Sequence, residues 1–354
     1  MPAFEKKLLT WLHEHIDIIL LIAVSLLGLL MRFMLGSLHA MMSVRLSSSV
    51  HASVPSYDMP VYVTMIFDLL MAAAVMAMVA LCAGSNAKQK GKWAYVLMLL
   101  SFGNIFSSAG LGRIDGLWVA LCVLGIICVF KEKYLWAFVS LSAACLISSW
   151  ALLFMPFFLF LYLYKEKFSL ISFLVPVAAA LLRYFSGIDR DGWLPEGISY
   201  RNLYAAYPSF WGFIKGDSPA EFAHYMPLAL VITAAAVAAL MILTCRRRYK
   251  YDNKGLLWIA FLGSALSAYF IPGAGAGAAA LTTVLACGLV FTDSLLIIPA
   301  LIMEALRIWP VAAQLYGTEW MPFSVQGQCW INAALMLFYL IFFYKKVLDD
   351  KEQV

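Results

Sequence analysis

The chain has 354 residues, of which 64% are apolar and 13% charged, and its mean hydropathy is +0.86. An average soluble domain carries about 45–50% apolar and about 25% charged residues, so most of this apolar surface must face lipid or other lipid-facing helices. An ordinary soluble enzyme is thereby excluded. The net charge of +5, from 25 Lys and Arg against 20 Asp and Glu, reports membrane topology rather than a nucleic-acid partner.

The first apolar run covers 16–35 behind Lys6 and Lys7, and at about 20 residues it reads as a retained span rather than a cleaved signal. Further runs cover 61–83, 93–106, 114–130, 134–150, 151–164, 168–185, 225–245, 255–271, 276–291, 294–309 and 330–344. The fold expected is all-α, a polytopic integral membrane protein of about 12 transmembrane or re-entrant helices forming one domain over 1–354. The runs at 93–106 and 151–164 are shorter than the roughly 17 residues of a straight span, so tilted or broken pieces are expected there. The seven cysteines form no Cys-x-x-Cys and no Cys/His cluster, which supports neither a disulfide framework nor a zinc site.

Alternating sides from a cytoplasmic N-terminus places fourteen Lys and three Arg inside, and Arg32, Arg45, Arg113, Arg183, Arg190, Arg201, Arg307 and Lys215 outside. Both termini are then cytoplasmic. Lysine is a simple topological anchor, whereas the planar fork of arginine suits bidentate phosphate or carboxylate recognition. Arginines on the outer side either pair with neighbouring acids or meet an anionic ligand. Most polar residues fall in two outer loops, 36–60 and 186–224. The second interleaves Asp189, Arg190, Asp191, Glu196 and Arg201 with Trp193, Tyr200, Tyr204 and Tyr207, a mixture that suits a sugar phosphate and equally a membrane-interface belt. Asp189 and Asp191 are a conceivable divalent-metal pair, although two carboxylates around an arginine more often solvate a loop; no cofactor is otherwise implied.

Ionisable groups inside apolar runs are costly and mark functional or structural pairs. Asp68 lies two turns into its run without a local partner, and Arg32 matches it by depth. Glu304 and Arg307, three apart, are placed to pair with each other. The segment 107–116 interrupts two apolar runs with small and polar residues, backbone that membrane depth tolerates only when protein buries it or it lines a cavity. Its Arg113 and Asp115 open the next helix, where they either pair or meet a phosphate at the helix N-terminus. The stretch Gly273-Ala274-Gly275-Ala276-Gly277 lacks the strand and acidic residue of a dinucleotide site and reads as close helix packing.

The order of these features resembles the membrane glycosyltransferases of the GT-C class, in particular bacterial relatives of the glycosylphosphatidylinositol mannosyltransferases. Ile66-Phe67-Asp68-Leu69-Leu70 resembles the Phe-Asp of an early family helix. Ser107-Ser108-Ala109-Gly110-Leu111-Gly112-Arg113-Ile114-Asp115 resembles Asn-Ser-Ala-x-Trp-Gly-Gln-x-Asp, with Leu111 and Arg113 at the Trp and Gln positions. The helical pair at 134–164 with Pro156, and Arg201-Asn202-Leu203-Tyr204, resemble later family segments; the His-Glu-Arg-Tyr expected after a Leu-Pro is replaced after Ile271-Pro272 by glycines and alanines.

The resemblance implies a GT-C-like bundle that moves a sugar such as mannose, with inversion, from a polyprenyl-phosphate donor to a glycan or glycolipid acceptor on the outer face of a bacterial cytoplasmic membrane. It implies an outer-loop carboxylate as catalytic base, and Asp58 is the one in the first loop; Asp115 is then expected to orient sugar or base, and Arg113, Arg183 and Arg201 to hold the donor phosphate in place of the family's missing contacts. Asp68, Arg32, Asn202 and Tyr204 are supporting candidates. Two alternatives stay open: a catalytically silent scaffold in envelope glycan assembly, and a transporter or flippase of a lipid-linked anion.

Overall fold

The computed structural model describes residues 3–46, 60–165, 168–186, 207–214, 219–245, 250–275, 277–316 and 322–349, and every regular element among them is helical. In chain order they are α1 (Ala3–Leu46), α2 (Val61–Cys82), α3 (Ala87–Leu100), α4 (Phe102–Ile105), α5 (Asp115–Phe130), α6 (Tyr134–Ile147), α7 (Met155–Lys165), α8 (Leu174–Phe185), α9 (Pro219–Cys245), α10 (Asn253–Phe270), α11 (Ala278–Val290), α12 (Ile297–Tyr316) and α13 (Val325–Phe343). A π-helical turn, Phe106–Gly110, continues α4.

Each expected apolar run folds as helix. Among the described residues five stretches are long and apolar enough to cross a membrane by length and composition: His15–Ser37, Val61–Cys82, His224–Cys245, Ser294–Ala312 and Val325–Leu348. The bent pair Ala87–Leu100 and Phe102–Gly110 makes a sixth if it is one span. The protein is therefore a multi-pass membrane protein, in which several of the twelve expected crossings are shorter helices of 10–17 residues. The loop expected from residue 36 starts later, because α1 runs on to Leu46; residues 36–46 contain no proline, and their Leu, Ala and Met favour helix despite the polar neighbours. At its other end the expected loop 186–224 is shortened by the start of α9 at Pro219.

Burial divides the helices by role. α10 is buried at every position from Gly255 to Tyr269, and α11 from Ala278 to Leu289. Helices apolar all round belong in such a centre. α1 is peripheral, with Ile16, Ile22, Leu26, Leu30 and Phe33 all exposed. Its inward stripe is Gly28, Arg32 and Gly36, one turn apart, where small residues let backbones approach. A Cβ on Gly36 would stand 2.5 Å from Val61 Cγ2, so α1 and α2 touch there.

Of the stretch 273–277 expected to serve close helix packing, residues 273–275 and 277 are described. Gly273 takes φ +68°, a conformation that favours glycine, in the turn from α10 to α11. A Cβ on Gly277 would collide with Nη2 of Arg113 and lie 3.1 Å from the Trp150 ring. That turn therefore abuts the segment singled out in sequence.

Candidate functional site

The site is organised by the break between α3 and α5. Ser101 leaves the helical conformation at φ −61°, ψ 118°, and its Oγ accepts from Asn104 N–H at 3.3 Å, ending α3 and capping α4. The axis bends by 45° at this point. The π turn then widens the backbone, a feature frequent at functional positions. Gly112 at φ +62° reverses the chain, and Arg113 N–H donates to the Ser107 carbonyl at 3.1 Å. These bonds deliver Asp115 to the first turn of α5, where a carboxylate also meets the positive end of the helix dipole.

Asp115 is 8% exposed and held on three sides. Ser107 Oγ donates to its Oδ2 at 2.8 Å, Trp118 Nε1 to its Oδ1 at 3.2 Å, and Arg113 Nε lies 3.2 Å from Oδ2. The Arg113–Asp115 pair envisaged from sequence is thus formed. The other end of the Arg113 guanidinium comes up to Gly277 at the start of α11, where the Trp150 ring also packs. Trp150 follows Ser148 and Ser149 at the α6–α7 junction, and the Nη1 of Arg183 donates to the carbonyls of Leu146, at 2.9 Å, and Ile147 just before it. Arg183 therefore closes the carboxyl end of α6, on the same junction whose Trp150 packs beside Gly277.

Beneath this layer lies a second pair. Arg32 Nε donates to Asp68 Oδ2 at 2.7 Å, and Arg32 Nη1 donates to the carbonyls of Leu99 and Gly28 at 2.8 and 3.0 Å. Gly116 abuts it, since a Cβ there would stand 2.6 Å from Asp68 Oδ1. The partner assigned to Asp68 by depth is its partner in space.

The third pair corrects the sequence expectation. Glu304 and Arg307 do not bridge each other; both reach across to the break. Glu304 Oε1 accepts from Ser101 Oγ and from Gly103 N–H, the latter at 2.8 Å, and Arg307 Nη1 donates to Asn104 Oδ1 at 2.7 Å. The broken helix exposes donors and acceptors that a regular helix would consume internally, and α12 supplies their partners. Sequence reasoning missed Ser101, Gly103 and Asn104, because the interruption was read as starting at Ser107. The Ser-x-Gly-Asn pattern at the end of an apolar run was the available signal.

Three arginines (Arg32, Arg113, Arg307) and three carboxylates (Asp68, Asp115, Glu304) thus meet around one bent segment inside an apolar bundle. An open groove of about 460 Å³ lies nearby between the α6–α7 junction, α7, α9 and the end of α10. Leu152, Pro156, Leu159, Phe173, Leu230 and Val237 line it, and its polar atoms are essentially the hydroxyls of Ser149, Thr233 and Ser267. Ser149, at the α6–α7 junction, lies at one end of the lining.

Of the residues proposed from sequence, Asp115, Arg113, Arg183, Asp68 and Arg32 fall among those described, whereas Asp58, Arg201, Asn202, Tyr204, Asp189 and Asp191 lie outside them. Among the described residues no group of three His, Cys, Asp or Glu is placed to hold a metal. No family model, curated protein or solved structure matches the chain.

Proposed function

We propose that the protein is a glycosyltransferase of the GT-C class, which moves a sugar such as mannose from a polyprenyl-phosphate donor to a glycan or glycolipid acceptor on the outer face of a bacterial cytoplasmic membrane. The observation that carries this reading is the placement of Arg113 and Asp115 at a helix break, against the start of α11, in a bundle that also holds an apolar groove. An amphiphile with an isoprenoid tail and a phosphate head needs this combination: a dry channel for the tail, and a guanidinium beside a helix N-terminus for the head.

In this reading Arg113 binds the donor phosphate, with Arg183 and Arg201 adding charge. Asp115, already gripped by Ser107 and Trp118, keeps Arg113 in register and meets sugar hydroxyls at its edge. Asp58 takes the proton of the acceptor hydroxyl as that oxygen attacks the anomeric carbon, and the lipid phosphate departs with the bonding electrons. General-base catalysis contributes about 10²- to 10⁴-fold.

The second reading, transport of a lipid-linked anion, is favoured by the 45° break and by the buried charges beside it, both features of transporter sites. A reconstituted assay separates the two. The transferase reading expects labelled sugar to pass from polyprenyl phosphate to acceptor, with a loss of about 10²-fold or more in Asp58→Asn. Undiminished turnover in Asp58→Asn sinks the assigned base. No transfer from any polyprenyl-phosphate sugar, together with lipid flux in the same vesicles, replaces the transferase with a transporter.

A further inference from the structure

Three neighbouring helices on one side of the bundle, α5, α6 and α8, are short, and their ends are in register. The Ser140 hydroxyl of α6 donates to the Leu121 carbonyl of α5 at 2.7 Å. Asp115 lies six residues from Leu121, and Leu146 six from Ser140, so both stand about 9 Å from that bond toward the same end. At the other end the exposed turn Lys131-Glu132-Lys133 joins the two helices, and Lys133 N–H donates to the Cys128 carbonyl at 2.8 Å.

α8 runs beside α6 in the same direction. The Phe168 ring lies 5.8 Å from Tyr134 and the Phe173 ring 5.4 Å from Phe138, while Arg183 donates to the carbonyls of Leu146 and Ile147. From Phe138 to Ile147 is nine residues and from Phe173 to Arg183 ten, so the helices keep step. Asp115 and Arg183 therefore stand at one level, with Arg113 paired to Asp115 beside them. The 14 residues of α6 set the lysine turn about 21 Å from that level.

The outer face of this pair is apolar between its charged ends. Leu135, Val139 and Leu146 of α6 and Leu174, Leu181 and Leu182 of α8 are all exposed. Trp136 and Tyr184, also exposed, stand near the two ends, as interfacial aromatics do. Elsewhere the bundle is longer. α2 has 22 residues, about 33 Å, and exposes Tyr62, Ile66 and Leu70. The hydrocarbon core of a bilayer is about 30 Å thick. A long helix adapts by tilting, whereas a short one must snorkel, associate or thin the bilayer. Arg183 is not free to snorkel, because its guanidinium is held on the α6 carbonyls.

We infer that α6 and α8, with α5 behind them, form a short wall against which the bilayer is thinned to about 25 Å or less. Lipid is the partner that fits this face, since Lys131 and Lys133 at one edge and Arg183 at the other match the phosphates of the two leaflets. Thinning brings Arg113, Asp115 and Arg183 to headgroup depth instead of leaving them in hydrocarbon. Phe173, which packs on Phe138, also lines the apolar groove, so wall and groove adjoin. A lipid whose head enters between the helices crosses less hydrocarbon here than beside α2. The inference holds whether or not the protein transfers sugars.

The test is electron cryomicroscopy of the full-length protein in nanodiscs of dioleoyl phosphatidylcholine, where the headgroups of each leaflet form a sheet of density. The spacing of the sheets beside α6 and α8 is expected to be at least about 5 Å less than beside α2. Equal spacing around the bundle overturns the inference, and so does a second copy of the chain or another protein seated on the wall. A spin label on Leu146→Cys gives a second reading, with the partly exposed Cys82, Cys128 and Cys245 changed to serine. Its depth below the headgroups, from collisions with oxygen and with a nickel chelate, is expected to stay constant in phosphatidylcholines of short, medium and long chains, because the lipid adapts to the wall. A label that deepens in step with chain length contradicts the thinning.

Discussion

Arg32, one turn before Gly36 on α1, and Asp68, two turns into α2, form a 2.7 Å ion pair in which the side chains are 0% and 3% exposed. The arginine carries two more bonds, to Leu99 on α3 and Gly28 on its own helix, so one guanidinium joins α1, α2 and α3. Otherwise peripheral, α1 is anchored through this point and through its close approach at Gly36.

Removing one partner of a buried pair leaves an uncompensated charge, which typically costs about 3–5 kcal/mol. Arg32→Met is expected to lower stability by that amount, and Asp68→Leu by a similar one. The double variant Arg32→Met/Asp68→Leu should recover most of the loss, since apolar replacement of a whole pair is often neutral. Thermal unfolding of the four proteins in one detergent checks this; additive losses in the double variant would mean that the two residues act separately.

Gly116 tests the adjoining contact between α2 and α5. A Cβ there would lie 2.6 Å from Asp68 Oδ1 and 3.1 Å from the Phe67 backbone. Backbone cannot withdraw as a flexible side chain can, so Gly116→Ala is expected to cost about 1–3 kcal/mol, measured by the same unfolding experiment. A neutral result would show that the two helices are further apart.

Much of this arrangement was legible in the sequence, and the reasons differ by element. Apolar length located the helices because membrane burial demands it, and depth alone matched Arg32 to Asp68. Arg113 and Asp115 were legible as a pair because they are two residues apart at a helix start. The clamp from α12 was not legible. Two opposite charges three apart on a helix suggest a local pair, but the unmet donors at Ser101 and Gly103 make a stronger claim on Glu304 than Arg307 does. The Gly277 contact was read only as packing, because a glycine-rich turn does not reveal which side chain lies over it. The shared groove depends on α7 and α9, which are far apart in sequence and carry no polar motif to relate them.

Ser101 serves twice, as the cap that accepts from Asn104 and as a donor to Glu304. Loss of a cap costs about 0.5–2 kcal/mol, and loss of a hydrogen bond to a charged group about 1.5–3 kcal/mol. Ser101→Ala should therefore destabilise by about 2–5 kcal/mol, more than Ser142→Ala, whose hydroxyl only bonds back within its own helix. Urea unfolding of both variants provides the comparison, and equal effects would contradict the clamp.

Gly277 allows Arg113 to be moved without removing its charge. The residue has an ordinary helical φ of −64°, so alanine is conformationally acceptable, but its methyl group would displace the guanidinium. Gly277→Ala is expected to change the melting temperature little and to weaken polyprenyl-phosphate binding by several-fold or more. Unchanged binding would place the phosphate away from the start of α11.

The account rests most heavily on Arg113 as the group that holds a lipid phosphate, and equilibrium binding of labelled polyprenyl phosphate to the purified protein tests it most directly. A charge-assisted hydrogen bond is worth about 1.5–3 kcal/mol, or roughly ten- to a hundredfold in affinity. Arg113→Ala should lose affinity by that factor, while Lys131→Ala, at the opposite end of α5, should bind as the wild type does. Equal binding by Arg113→Ala and wild type, or no saturable binding by the wild type, would contradict it.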